Sequence, residues 1–160
     1  DVLRAMGASI EIEMEGDGIE PAGDLIVKHS ALHGVDVGGD LIPRLIDELP
    51  VIAVAAAFAE GKTVIKDAEE LKVKESNRID AMEKELKKAG VDVQATEDGL
   101  IVMGGKPVRG GTFQTYNDHR IAMSMAVLAL AAEGTSEITD HQCINISYPD
   151  FFDTFNGIRE

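Results

Sequence analysis

Two short clusters of ionisable residues are equipped for chemistry. Lys72, Lys74, Glu75 and Arg78 fall within seven residues at the entry to a helical pattern. Asp118, His119 and Arg120 stand in a row before the apolar run 121–132. Asp47, ahead of the Ala-rich run 51–59, is a third element. Glu75 and Arg78 are three apart, so a helical turn projects them to one side. Arginines grip phosphate or carboxylate in a planar fork, and carboxylates or an imidazole beside them move protons. Such a set suits a small phosphorylated or carboxylated ligand. A plainer account is helix caps and surface ion pairs, each worth little. Arg120 weighs against it. A cation in a first helical turn meets the positive end of the dipole and is better placed with an anion in front of it. For any one residue the plainer account suffices; five at corresponding helix ends favour a site.

The clusters meet only if the helices behind them start at one end of the fold. The first, predicted over 47–59, has Asp47 as N-cap, Glu48 in its first turn, a tolerated Pro50 and Gly61 at its close. It is apolar on every side, hence buried. The second follows Ser76 or Asn77 as cap, with Ile79, Met82, Leu86 and Ala89 on one core face and Asp80–Lys84 and Glu83–Lys87 as pairs on the wet face. The third is capped by Asp118 or Asn117 and is again apolar all round. A fourth is predicted over 149–157. The opening residues read as a helix end closed by Gly7.

Strands are predicted over 9–15, half-buried from the alternation of Ile10, Ile12 and Met14 with Glu11, Glu13 and Glu15, and over 24–28, 34–37, 62–67, 91–95, 100–103, 112–115 and 136–139. Asp17-Gly18 and Glu97-Asp98-Gly99 are turn signals. His29 and His33 fall in a loop with no ligand spacing around them. The order is ββ, βαβαββ, βαβα, a repeat of about 75 residues. The expected fold is α/β, of repeated βαβαββ units with buried helices inside and sheets outside, 1–160 forming one partial domain. An ordinary α/β sandwich is the second choice.

Hydrophobic content of 44% and charged content of 28% are ordinary for a globular chain of 160 residues. A net charge of −14 argues against nucleic acid or an anionic membrane as partner, though not against a small anion held by a local basic cluster. The lone Cys143 precludes an intrachain disulfide and points to a reducing compartment, with the thiol as a small part-buried side chain. No run reaches the ~20 apolar residues of a membrane span. No P-loop, dinucleotide motif, metal-ligand pair or Ser/His/Asp set competes.

Lys72-Val73-Lys74-Glu75-Ser76-Asn77-Arg78-Ile79 and Tyr116-Asn117-Asp118-His119-Arg120-Ile121-Ala122-Met123-Ser124 closely resemble the two late signatures of the 5-enolpyruvylshikimate-3-phosphate synthase family. Asp47 with Leu49-Pro50, the Ala-rich helix and Ser147-Tyr148-Pro149-Asp150-Phe151-Phe152 match too, so the resemblance covers the chain in order. It implies a two-lobed fold of six βαβαββ units with the active site in the cleft, and transfer of enolpyruvyl from phosphoenolpyruvate to the 5-hydroxyl of shikimate 3-phosphate. By resemblance Asp47 takes the hydroxyl proton and binds shikimate 3-phosphate, and Lys74 contacts the same substrate. Glu75 protonates the methylene carbon of phosphoenolpyruvate, Arg78 and Arg120 bind its anionic groups, and His119 lines the site.

No metal or organic cofactor is implied. Asn77 replaces the usual Asp. Glu70 stands where some members have an Asn that touches shikimate 3-phosphate, and Ile146 where some have a Lys. The expected partners are the two substrates and an absent N-terminal part of the same protein. The expected whole is a cytoplasmic monomer, and the chain alone is expected to be inactive. A sister family acting on UDP-N-acetylglucosamine shares the fold, and a non-catalytic repeat domain binding a phosphate-bearing ligand is a reading from another class; the two signatures favour shikimate.

Overall fold

The computed structural model describes residues 1–16 and 19–158, so the Asp17-Gly18 turn lies outside the described residues. A short helix, α1 (Val2–Ala5), is followed by Gly7 at φ 96°, as its sequence predicts. β1 (Ser9–Glu15) and β2 (Ala22–Lys28) form an antiparallel hairpin with Ile10 opposite Val27 and Ile12 opposite Leu25. Here the half-buried expectation is corrected: Ile12, Met14, Leu25 and Val27 are all exposed. Alternation decides which side chains share a face, but only a neighbouring element can cover that face.

A complete βαβαββ unit follows. β3 (Asp36–Val37) leads through α2 (Ile42–Leu45) and α3 (Leu49–Phe58) to β4 (Gly61–Ile65), which lies parallel to β3. Then come α4 (Arg78–Lys88), β5 (Asp92–Ala95) and β6 (Leu100–Gly104). The sheet order is β3-β4-β6-β5, with β6 antiparallel to both neighbours. The hairpin glycine Gly99 is needed for close approach, because a Cβ there would run into the Ile65 carbonyl.

A second unit opens with β7 (Thr112–Phe113), α5 (His119–Ala131) and β8 (Glu137–Ile138), and α6 (Phe151–Gly157) closes the described chain. β7 is parallel to β8 as β3 is to β4, and the two units start at residues 36 and 112, in keeping with the predicted repeat.

α3 and α5 are the inner helices. Leu49, Ile52, Ala53, Val54, Ala56 and Ala57 of α3 are buried, as are Ile121, Ala122, Met125 and Leu128 of α5. The two helices pack on each other, and α3 also packs on β4 and β6. Alanines permit this: at Gly104 of β6 even a single Cβ would strike the carbonyls of Ala56 and Ala59. Sheets outside and apolar helices inside match the predicted class, but the expectation that the all-round apolar helices are buried holds on one side only: Val51 and Phe58 of α3 and Val127 and Leu130 of α5 are exposed, because no element among the described residues covers them. On the far side of α3 and α5 an apolar groove of about 600 Å³ is lined by Leu3, Leu32, Val51, Phe58 and Val127 among others.

Helix ends are where prediction and structure part. Asp118 caps α5, accepting the Arg120 N–H at 2.9 Å and the Ile121 N–H at 3.4 Å. Asn77 caps α4 through the Asp80 N–H. Asp47, however, does not cap α3. That helix begins at Leu49 behind Glu48, with no side-chain cap bond, because the Asp47 carboxylate is turned towards a buried guanidinium instead. A carboxylate is drawn more strongly to a guanidinium, which is itself charged, than to a neutral backbone N–H. Nor does Gly61 close α3; the chain is extended from Ala59, and Gly61 at φ 90° opens β4. On α4, Glu83 and Lys87 pair at 2.9 Å as expected. Asp80 and Lys84 do not, as is common for solvated charges.

Candidate active site

The N-terminal ends of α3, α4 and α5 meet, and Arg78 lies at the junction. Its side chain is only 1% exposed, and each nitrogen of its guanidinium has a carboxylate of its own. Nε donates to Asp118 Oδ2 at 2.8 Å, Nη1 to Asp47 Oδ1 at 2.8 Å and Nη2 to Glu75 Oε2 at 2.7 Å. Asp118 is fully buried and also accepts from Ser76 Oγ at 3.0 Å. One side chain therefore fixes the segments before all three helices. A buried guanidinium is tolerable only with this degree of pairing.

The electrostatics follow from the pairing. Burial pushes the Asp118 carboxyl up, but the Arg78 hydrogen bond and charge, with Ser76, outweigh it and hold the group below the usual carboxylate range. At Asp47 burial is again opposed, by the Arg78 bond and by the charges of Lys74, Arg78 and Arg120, and the net shift is downward. Burial pulls Arg78 down, while its bonds to Asp118 and Asp47 more than restore it. Lys74 is raised, chiefly by Glu70 at 2.9 Å; its Nζ also lies 3.6 Å from Asp47 Oδ1.

Around this hub lies an open rim. The Asp47 and Glu75 side chains are 42% and 47% exposed, so each carboxylate is anchored to Arg78 on one side and wet on the other. His119 Nδ1 is 4.0 Å from Glu75 Oε1. Arg120 Nη1 pairs with Glu48 Oε1 at 3.0 Å. Among the described residues, Arg120 Nε is buried without a hydrogen-bond partner, a rare state for a donor. The anion anticipated in front of Arg120 is thus, in this state, the side chain of Glu48.

Asp47, Glu70, Lys74, Glu75, Arg78, His119 and Arg120 come together here, whereas Lys72, from the same cluster, is exposed and makes no ion pair with them. Burial pushes the Cys143 thiol up.

The chain as a whole is similar to known proteins. A profile of EPSP synthase (3-phosphoshikimate 1-carboxyvinyltransferase) matches residues 1–155. The chain belongs to the EPSP synthase family. A 3-phosphoshikimate 1-carboxyvinyltransferase of Thermoanaerobacter sp. (strain X514) is 57% identical over 157 residues, 98% of this chain and 37% of that protein. One from Bacillus cereus (strain B4264) is 51% identical over 161 residues, 100% of this chain and 38% of the relative. EPSP synthase from Acinetobacter baumannii superposes with a TM-score of 0.90 at 39% identity, over 98% of this chain and 37% of that one. The enolpyruvyl transferase NikO from Streptomyces tendae shares the fold, with a TM-score of 0.71 at 22% identity over 98% of this chain and 33% of the other. The chain thus spans little more than a third of the length of its curated relatives.

Two features of the site escaped the sequence reading. Glu48, read as a helix-start residue, is the partner of Arg120. Glu85, passed over among the charges of α4, is fully buried and bonded to Tyr116 Oη at 2.6 Å and to the Gln114 N–H at 3.0 Å. A signal was present. Glu85 lies three residues after Met82 and four before Ala89, within the apolar stripe and not opposite it.

Proposed function

We propose that this chain contributes one side of an active site that transfers the enolpyruvyl group of phosphoenolpyruvate to the 5-hydroxyl of shikimate 3-phosphate. The observation that carries the reading is the pair Asp47 and Glu75, held on the two terminal nitrogens of one buried guanidinium with their other faces in solvent. Two carboxylates at fixed spacing are what an addition–elimination needs. Glu75 gives a proton to C3 of phosphoenolpyruvate, which makes C2 electrophilic. The substrate hydroxyl adds to C2, and its proton passes to Asp47. Glu75 then takes a proton back from C3 as the C2–O bond to phosphate breaks, and the proton held by Asp47 passes to the released phosphate, which returns both carboxyl groups to their starting states. Asp47, held below the usual carboxylate range, is ionised at neutral pH and free to accept.

Arg120, with its unpartnered buried Nε, is the natural anion receptor, reached by displacing Glu48. Arg78 keeps two N–H donors beyond its three carboxylate bonds for a second anionic group. Lys74 and Glu70 face the second substrate, and His119 lies beside Glu75.

Lys74, Arg78 and Arg120 are outnumbered by Asp47, Glu48, Glu70, Glu75 and Asp118, so two polyanionic substrates need further cations. In this reading these come from the remainder of a longer cytoplasmic enzyme, and the 160 residues alone have no measurable turnover. The test is the complete enzyme with Glu75→Gln or Asp47→Asn. Each is expected to lower kcat at least about a hundredfold, the range for loss of a general acid or base. Phosphoenolpyruvate binding by calorimetry should survive Glu75→Gln. Undiminished turnover in either variant, or robust turnover by the isolated chain, overturns the reading.

A further inference from the structure

We infer that Glu85 is a positioning residue for the segment 114–120. A fully buried carboxylate is costly unless its oxygens are used, and here each has donors. Oε1 takes the Tyr116 hydroxyl at 2.6 Å, Oε2 takes the Gln114 N–H at 3.0 Å, and Lys88 Nζ reaches both from the half-exposed end of α4 at 2.8–2.9 Å. Two of these three donors belong to the stretch that leads into the site.

That stretch needs holding. Tyr116 and Asn117 both lie in the left-handed region, at φ 56° each, and a tight turn places the Asp118 N–H on the Thr115 carbonyl at 2.9 Å. An aromatic residue gains nothing from that conformation and keeps it only under constraint. The Glu85–Tyr116 bond supplies the constraint. Burial, and then Glu85 itself, raise the Tyr116 hydroxyl well above its ordinary value, so it stays a donor throughout the working pH range.

α4 therefore grips the segment twice. Arg78 holds Asp118, and Glu85, seven residues on and so about 10 Å along the same side of the helix, holds Gln114 and Tyr116. Between the two grips the chain turns and delivers His119 and Arg120 to the rim. Glu85 touches neither rim residue; it acts by fixing where α5 begins.

The structural arm of the test stands without the enolpyruvyl-transfer reading, and only the kinetic arm rests on it. In the complete enzyme, Glu85→Gln, Tyr116→Phe and Lys106→Ala are compared by amide hydrogen exchange and by steady-state kinetics. The first two should speed exchange of the Arg120 and Ile121 amides, which Asp118 holds, by about tenfold, as for loss of one charge-assisted hydrogen bond, with β4 and β6 unchanged. KM for phosphoenolpyruvate should rise by a similar factor, more than kcat falls. Lys106→Ala, at an exposed pair with Asp92 outside this network, should move neither.

Exchange at Arg120 and Ile121 unchanged in folded Glu85→Gln overturns the proposal. Faster exchange with unaltered kinetics overturns its bearing on the site. Should Glu85→Gln not fold, Tyr116→Phe, which removes a single oxygen, decides by the same two measures. An unmodified enzyme without transfer activity refutes the proposed function and leaves the exchange result to judge Glu85.

Discussion

Arg78 and Arg120 are the same side chain under opposite conditions. Arg78 is 1% exposed and spends three nitrogens on carboxylates from three segments; Arg120 is 33% exposed, pairs with the half-exposed Glu48 alone and leaves its Nε without a partner. Desolvation explains the difference. Inside, an unpaired charge is ruinous, so every partner is obligatory and the group behaves as scaffold. At the surface, pairing gains little over water, so a partner can be exchanged for a ligand. A site for anions needs both: a fixed hub to set the geometry and a loosely held cation to accept the guest.

The strongest way to break this contrast is to remove the partner of the buried charge. Asp118→Ala leaves the Arg78 Nε buried without an acceptor and removes the α5 cap, and we expect a loss of about 2–5 kcal/mol in denaturant unfolding although Asp47 and Glu75 still pair the guanidinium. A loss comparable to that of an exposed pair would mean that the hub is not scaffold.

The second test uses pH. The Asp118 and Asp47 carboxyls both sit below their ordinary 3.8. A group with a depressed folded value adds stability above its unfolded value, and that stability is lost as pH falls through the folded one. Stability should therefore fall below about pH 4, and Asp118→Asn should be less stable than the parent at neutral pH, the two curves converging in stronger acid. A gap that stays constant down to strong acid would assign the effect to something other than the ionised carboxylate.

The smallest effect is at the rim. Glu48→Gln should change stability by less than about 1 kcal/mol, as for exposed pairs, yet tighten phosphoenolpyruvate binding a few-fold in calorimetry on the complete enzyme by removing a competing anion. Weaker binding would show that Glu48 supports Arg120 instead of guarding it.

Much of this was legible in the residues. Asp118 and Asn77 are each one of two adjacent cap candidates, and the element order follows from periodicity and turn signals, whereas the meeting of the helix mouths is a condition that only the fold can meet. The positions that misled did so for tertiary reasons. Asp47 has the right type and place for a cap, but the competing partner, Arg78, lies 31 residues away. Glu85 lies within the apolar stripe of α4, but two of the three donors that make a buried carboxylate tolerable there come from a segment about thirty residues downstream. The alternation in β1 is real, but exposure of its apolar face depends on what lies beside it.

The three bonds of Arg78 also bear on the order of events in folding. They span 3, 31 and 40 residues of chain, so the last two require long loops to close first. The bond to Glu75 is local and can form as α4 nucleates. Those to Asp47 and Asp118 exist only once α3 and α5 have docked on either side. The guanidinium is therefore a latch: it cannot guide the early search, and it engages when the three helix mouths have already found one another.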